Sequence, residues 1–170
     1  MKKSWYGRFL VFGIAITGLA VFSGAAQAQG AVKGKIGSWE TRCESPPGAA
    51  EKQCALVQTV VDSDRPNITL VVIMLKTADR KSRLMRVVAP LGVLLPSGLG
   101  VRIDDKDTGR MTFVRCQGNG CVAEVFVDDK LLDLLEHGKS VTFVLFETPE
   151  EGIGVPAKLD GFKESYEALP

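Results

Sequence analysis

The sequence predicts an all-β domain, a sandwich or barrel-like fold with one or two short helices, stapled by two disulfides. Three observations point there. Strand-like runs follow one another with turn residues about every 8–12 positions, the rhythm of sandwiches and barrels. Only two stretches carry helical spacing. The four cysteines, Cys43, Cys54, Cys116 and Cys121, fall into two local pairs.

The chain opens on a different pattern. Lys2, Lys3 and Arg8 form a basic start, and Phe9–Phe22 is an apolar run. That run is shorter than the roughly 20 residues a membrane helix needs. Ala26-Gln27-Ala28 is the small-x-small step at which a signal peptidase cuts. Residues 1–28 are therefore expected to be a secretory signal, and 29–170 a single domain. No integral membrane span remains once the signal is cleaved. Cys43 lies too far downstream to be the modified cysteine of a lipoprotein. The full chain carries 21 Lys+Arg against 20 Asp+Glu. Three of the basic residues leave with the signal, so the domain is slightly acidic. That is not the charge pattern of a nucleic-acid binder, and no polybasic block marks a membrane patch.

The elements follow in order. SWETRC (38–43) alternates and ends at a cysteine. ESPPGAAEKQ (44–53) is a loop by its Pro and Gly content. CALVQTVV (54–61) is a strand and DSDRPN (62–67) a turn. ITLVVIMLK (68–76) is nearly continuous in β-branched and apolar residues. It predicts a strand buried on both faces, or an amphipathic strand under a loop. TADRKS (77–82) turns into RLMRVVA (83–89), a strand ended by Pro90. Residues 91–100 are apolar but broken by Gly92, Pro96, Gly98 and Gly100, which predicts a kinked extended segment. VRIDD (101–105) alternates. RMTFVRC (110–116) and CVAEVFVD (121–128) predict a stapled hairpin. DDKLLDLLEHG (128–138) places Leu131, Leu132, Leu134 and Leu135 on one broad helical face. Asp128 or Asp129 can cap its start, and Gly138 can supply the left-handed residue after its end. SVTFVLFE (140–147) and GIGVPAKLD (152–160) are the last strands. GFKESYEAL (161–169) spaces Phe162, Tyr166 and Leu169 as a short helix.

Export makes disulfides the default state of four cysteines. Local pairing, Cys43 with Cys54 and Cys116 with Cys121, is the connectivity the spacing favours. Cys116 and Cys121 enclose Gln117-Gly118-Asn119-Gly120, residues that permit the positive φ of a tight turn. A zinc site usually brings its cysteines as C-x₂₋₄-C pairs or with histidines; the gap between Cys43 and Cys54 is too long for that, and His137 is the only histidine. The C-x-x-C step of a thioredoxin-like centre is absent. No metal or cofactor is expected.

Few residues suggest catalysis. His137, the only histidine, precedes the helix-ending glycine, where a cation complements the helix dipole. Without it no Ser-His-Asp or Cys-His set can be assembled. The carboxylates of IDDKD (103–107) miss the EF-hand pattern and read as a solvated hairpin tip. GLGVRI lacks the third glycine of a dinucleotide loop. No catalytic residue is assigned. PLGVLLPSGLG is more suggestive: Pro90, Leu91, Gly92, Pro96 and Gly98 form a candidate binding surface, the alternative being a bulged core strand.

An ordered series of motifs resembles the invasion associated locus B family of alphaproteobacteria. It runs from SWETRC, with Trp39 and Cys43, to the second cysteine, Cys54. RVVAPLGVLLPSGLGVRID (86–104) is the most distinctive block. FVRCQGNGCVAEV (113–125) and LDGFKESYEAL (159–169) complete it, with LDGF standing where members often have SLxGF. The resemblance implies an exported envelope protein, periplasmic, outer-membrane associated or secreted. It also implies a link to host-cell invasion, notably of erythrocytes. The family supplies no agreed catalytic residues or cofactor.

The preferred reading is a non-enzymatic protein that binds an envelope or host-surface protein. Two other readings stay open: a carboxylate-dependent hydrolase of envelope polymers, marked by a carboxylate pair with perturbed pKa in one cleft, and a carrier of a small apolar ligand, marked by a large apolar cavity.

Overall fold

The computed structural model describes residues 31–45, 52–77 and 79–170. The expected signal, residues 1–28, and most of the loop between Cys43 and Cys54 lie outside the described residues. The elements are β1 (Ala31–Ile36), β2 (Trp39–Glu44), β3 (Gln53–Val61), β4 (Thr69–Lys76), β5 (Arg83–Ala89), β6 (Leu99–Ile103), β7 (Lys106–Gln117), β8 (Gly120–Phe126), α1 (Asp129–His137), β9 (Ser140–Phe146), β10 (Gly152–Lys158) and α2 (Phe162–Glu167). The ten strands form one antiparallel sheet in the order β1-β2-β3-β4-β5-β8-β7-β6-β9-β10.

The sheet does not close. It folds over on itself as a sandwich, and β7 is the corner. Up to Met111, β7 pairs with β6; from Thr112 it pairs with β8. A register shift between Phe113 and Arg115 bends it there, as bulges do where a strand changes layer. Alternate residues then meet in one core: Leu70, Val72 and Met74 of β4, Val141, Phe143 and Leu145 of β9 and Ile153, Val155 and Ala157 of β10 are all buried in a single cluster. The outward residues of β4, Val71, Ile73 and Leu75, are half-buried. The strand that reads as apolar on both sides thus has one dry face and one partly wet face.

Trp39 seals one end of the sandwich. It is fully buried, its Nε1 donates to the Lys158 carbonyl oxygen at 3.1 Å, and its ring meets Phe162 edge-on at 5.1 Å. Phe162 in turn stacks on Tyr166 at 5.9 Å. This is why the final segment is helical: its three apolar residues at helical spacing land on one aromatic cluster. At α1, Asp128 is the cap, its Oδ1 accepting from the Leu131 N–H at 2.8 Å.

The structure departs from the sequence reading in three places. β1 was not expected, because AVKGKI has no apolar face; every residue in it is exposed. Gly138 is extended, with φ −74° and ψ 161°, so α1 ends without a left-handed residue and leads directly into β9. In the stapled hairpin the positive φ expected of this turn falls on Gly120, at 149°. Of the segment 91–100 expected to be kinked and extended, only Leu99 and Gly100 are, as the start of β6; residues 91–98 form a turn and a single 3₁₀ turn over Leu95–Ser97. Pro90 has no N–H with which to continue the ladder, Gly92 takes φ 93°, and proline suits the first turn of a helix.

Candidate functional site

The two features singled out in the sequence lie side by side. Ala89, the last residue of β5, is directly opposite Cys121, and Cys121 is opposite Cys116. The disulfide therefore links residues already paired across the strands. Gly120 shows how close the two features come. A Cβ there would stand 2.4 Å from the Ala89 carbonyl oxygen, so only glycine fits.

Beyond Ala89 the chain leaves the sheet and is fixed by backbone contacts. The Leu94 N–H donates to the Phe146 carbonyl oxygen at 2.6 Å, anchoring the segment to the end of β9. Gly98 adopts φ 65°, and a Cβ there would meet the Met111 carbonyl oxygen at 2.8 Å. Arg110 Nη1 donates to the Ser97 carbonyl oxygen at 2.7 Å, while its guanidinium lies 5.4 Å from the centre of the Phe146 ring. Held this way, Leu91 is 55% exposed and Leu95 46% exposed. Gly92 and Pro96 are exposed between them, and Pro90 and Gly98 are half-buried. Val114, in the bulge of β7, adds a further exposed apolar side chain. The segment is a rigid apolar rim, not a core strand.

His137 has a local role at the end of α1. Its Nδ1 lies 2.9 Å from the Asp133 carbonyl oxygen and 3.1 Å from Asp133 Oδ1. Of the carboxylates of IDDKD, Asp105 and Asp107 line an open pocket of about 340 Å³ beside Arg102 and Arg110, while Asp104 is engaged with backbone. Asp104 Oδ1 accepts the backbone N–H groups of Lys139 at 2.9 Å and Ser140 at 3.0 Å. The Ser140 bond first, then the Lys139 bond, hold its carboxyl below the usual value. Asp104 and Asp105 turn the chain with φ 45° and 66°. The hairpin tip expected there is present, although Lys106 and Asp107 already belong to β7.

Among the concave features of the described residues, one is basic and was not anticipated from the sequence. At the other end of β5 a pocket of about 440 Å³ is lined by Lys76, Arg80, Lys81, Arg83, Tyr166 and Pro170. Lys76 Nζ donates to the Leu169 carbonyl oxygen at 2.5 Å and lies 5.2 Å from the centre of the Tyr166 ring. Arg83 donates to the Val127 carbonyl oxygen at 3.0 Å and to Asp129 at 2.6 Å. The Asp129 bond raises the Arg83 pKa, and burial pushes the Tyr166 phenol up. Its four cations come from one short stretch, KTADRKSR (76–83), which reads in the sequence as an ordinary charged turn, while Tyr166 and Pro170 come from the far end of the chain.

Residues 39–170 match the family described as invasion associated locus B (IalB) protein. The fold is similar to the crystal structure of invasion associated protein B from Bartonella henselae. The TM-score is 0.68 at 19% sequence identity, covering 80% of this chain and 92% of that chain. No curated protein matches the sequence.

Proposed function

This chain belongs to the invasion associated locus B family, and from that premise we propose that it is an exported, non-enzymatic envelope protein acting through protein binding. Its partner is a protein of the envelope or of a host surface. The signal is residues 1–28, cleaved after Ala28, and the mature domain is 29–170. It works in the periplasm or at the outer membrane, where an oxidising environment supports both disulfides. Among the described residues, no helix is long and apolar enough to cross a membrane.

The observation that carries the reading is the rim of Leu91 and Leu95. Exposed leucines on a mobile loop would pay ordering entropy on binding. Here the backbone is fixed by Leu94, Gly98, Arg110 and the adjacent disulfide hairpin, so a partner meets a preorganised apolar surface. The test is crosslinking in intact envelopes. Wild type should yield a discrete crosslinked partner. Leu91→Asp with Leu95→Asp should lose it at unchanged fold and protein level. His137→Gln should retain it. Loss of function in His137→Gln at full stability would overturn the binding reading in favour of a catalytic one.

A further inference from the structure

We propose that the basic pocket at the Arg83 end of β5 is a binding site for a phosphate group, preferably a phosphate monoester.

The first argument is the register. Lys76 and Arg83 sit directly opposite each other on β4 and β5. Like charges facing across a sheet are destabilising, and sheets ordinarily avoid them. Lys81 joins Lys76 and Arg83 in the lining, Arg80 lines the pocket with a partner of its own, and no Asp or Glu side chain is among the lining residues. The nearby carboxylates are already engaged. Asp129 takes the Arg83 guanidinium at 2.6 Å. Asp79 is turned onto its own turn, accepting from Thr77 Oγ1 at 2.5 Å and from the Lys81 N–H at 3.1 Å. That turn is closed further by Thr77 N–H to the Ser82 carbonyl oxygen at 2.9 Å. Asp79 therefore shapes the turn that carries Lys81 and does not pair with the Lys81 ammonium in this geometry.

The second argument is preorganisation. Lys76 and Arg83 each donate to a backbone carbonyl oxygen, Leu169 and Val127, so their stems are fixed before any ligand arrives. Tyr166, only 8% exposed, forms the pocket wall and is backed by Phe162 and Trp39. An ammonium fixed by one acceptor still has two protons to give. A concave site with donors converging from two strands, a turn and a helix suits a compact, multiply charged acceptor. A phosphate monoester carries close to two charges and three acceptor oxygens at neutral pH. A carboxylate offers one charge and a planar pair of oxygens, which fill fewer of these directions.

Phosphate can arrive free or on a lipid headgroup, and the experiment separates the two. The probes are inorganic phosphate and phosphatidylcholine vesicles with and without phosphatidic acid. Amide NMR shifts are followed on the intact folded domain. Phosphate should shift residues 76–83 and 166–169 in a saturable manner, weakened by added salt. Lys81→Glu should weaken binding by about tenfold or more, because charge-assisted bonds are the stronger class. Lys81 is exposed, so the fold should be unaffected. Lys33→Glu, the same charge change on exposed β1, should change affinity by less than about twofold. Phosphatidic acid vesicles that bind in competition with free phosphate would identify a lipid source; binding of free phosphate alone would identify a soluble one. Absence of shifts with both probes, or equal losses in Lys33→Glu and Lys81→Glu, would overturn the site.

Discussion

At one end of β5, Ala89 gives way to a proline and two positive-φ glycines, and the exposed side chains are leucines. At the other end Arg83 faces Lys76, and the groups on offer are cations. The apolar end is shaped by backbone devices: Gly98, Gly120, the Leu94 N–H and a disulfide. The basic end is shaped by side chains that lean on the aromatic cluster of Trp39, Phe162 and Tyr166. An end built from the backbone should tolerate changes in the side chains it displays. An end resting on the core should fail when the core fails.

The largest expected effect tests that contrast directly. Trp39→Ala removes a fully buried ring, and such truncations cost about 3–5 kcal/mol. Tyr166 loses the support of Phe162, so the basic pocket should loosen with it. Leu91→Asp with Leu95→Asp should change stability by only about 0.5 kcal/mol per site, as exposed substitutions do. Urea midpoints of the two variants decide the matter. Comparable losses would mean that the leucines are packed and that the two ends are built alike.

The two disulfides give a smaller, sharper comparison. Both join residues directly opposite in a β-ladder, but the sequence separation is 11 for Cys43–Cys54 and 5 for Cys116–Cys121. Removing either should cost roughly 2–3 kcal/mol on the chain-entropy estimate. The longer loop should cost more by about 0.6 kcal/mol, the increment for a doubling. Double serine variants, compared by urea unfolding, supply the numbers. The reverse order would assign the short hairpin a native-state role beyond closing a loop.

Most of the sheet was legible because burial leaves a period of two. GIGVPAKLD buries Ile153, Val155 and Ala157 in strict alternation, and both disulfides follow from local spacing. β1 was not legible, since an edge strand with no buried face carries no such period. Nor was Gly138, because glycine is also accepted in extended backbone, and its lack of a Cβ serves here to clear Leu134, Ile103 and Leu159. The rim was legible as a broken apolar segment, and its 3₁₀ turn was not. The basic pocket was hidden for a simpler reason. The cations of KTADRKSR (76–83) look like any solvated turn, and the wall that makes them a pocket, Tyr166 and Pro170, arrives only with the C-terminal helix docked on the core.

The smallest expected effect contrasts how turns are locked. Gly98 and Gly120 hold their turns by lacking a side chain, which no pH change can alter. Asp104 holds the β6–β7 turn by accepting the N–H groups of Ser140 and Lys139, and its carboxyl lies below the ordinary 3.8 in the folded state. The folded protein therefore takes up this proton less readily than the unfolded chain does. The carboxylate's contribution is complete above the unfolded value and is lost as pH falls through the folded one. Asp104→Asn keeps an acceptor and tolerates the left-handed backbone, but it has no charge to lose. The variant should be slightly less stable than wild type at neutral pH, and the gap should close as pH falls through and below the ordinary carboxylate range. Urea midpoints measured across that range at low salt provide the test. A gap that stays constant with pH would show that the geometry of the two hydrogen bonds, and not the charge of Asp104, locks the turn.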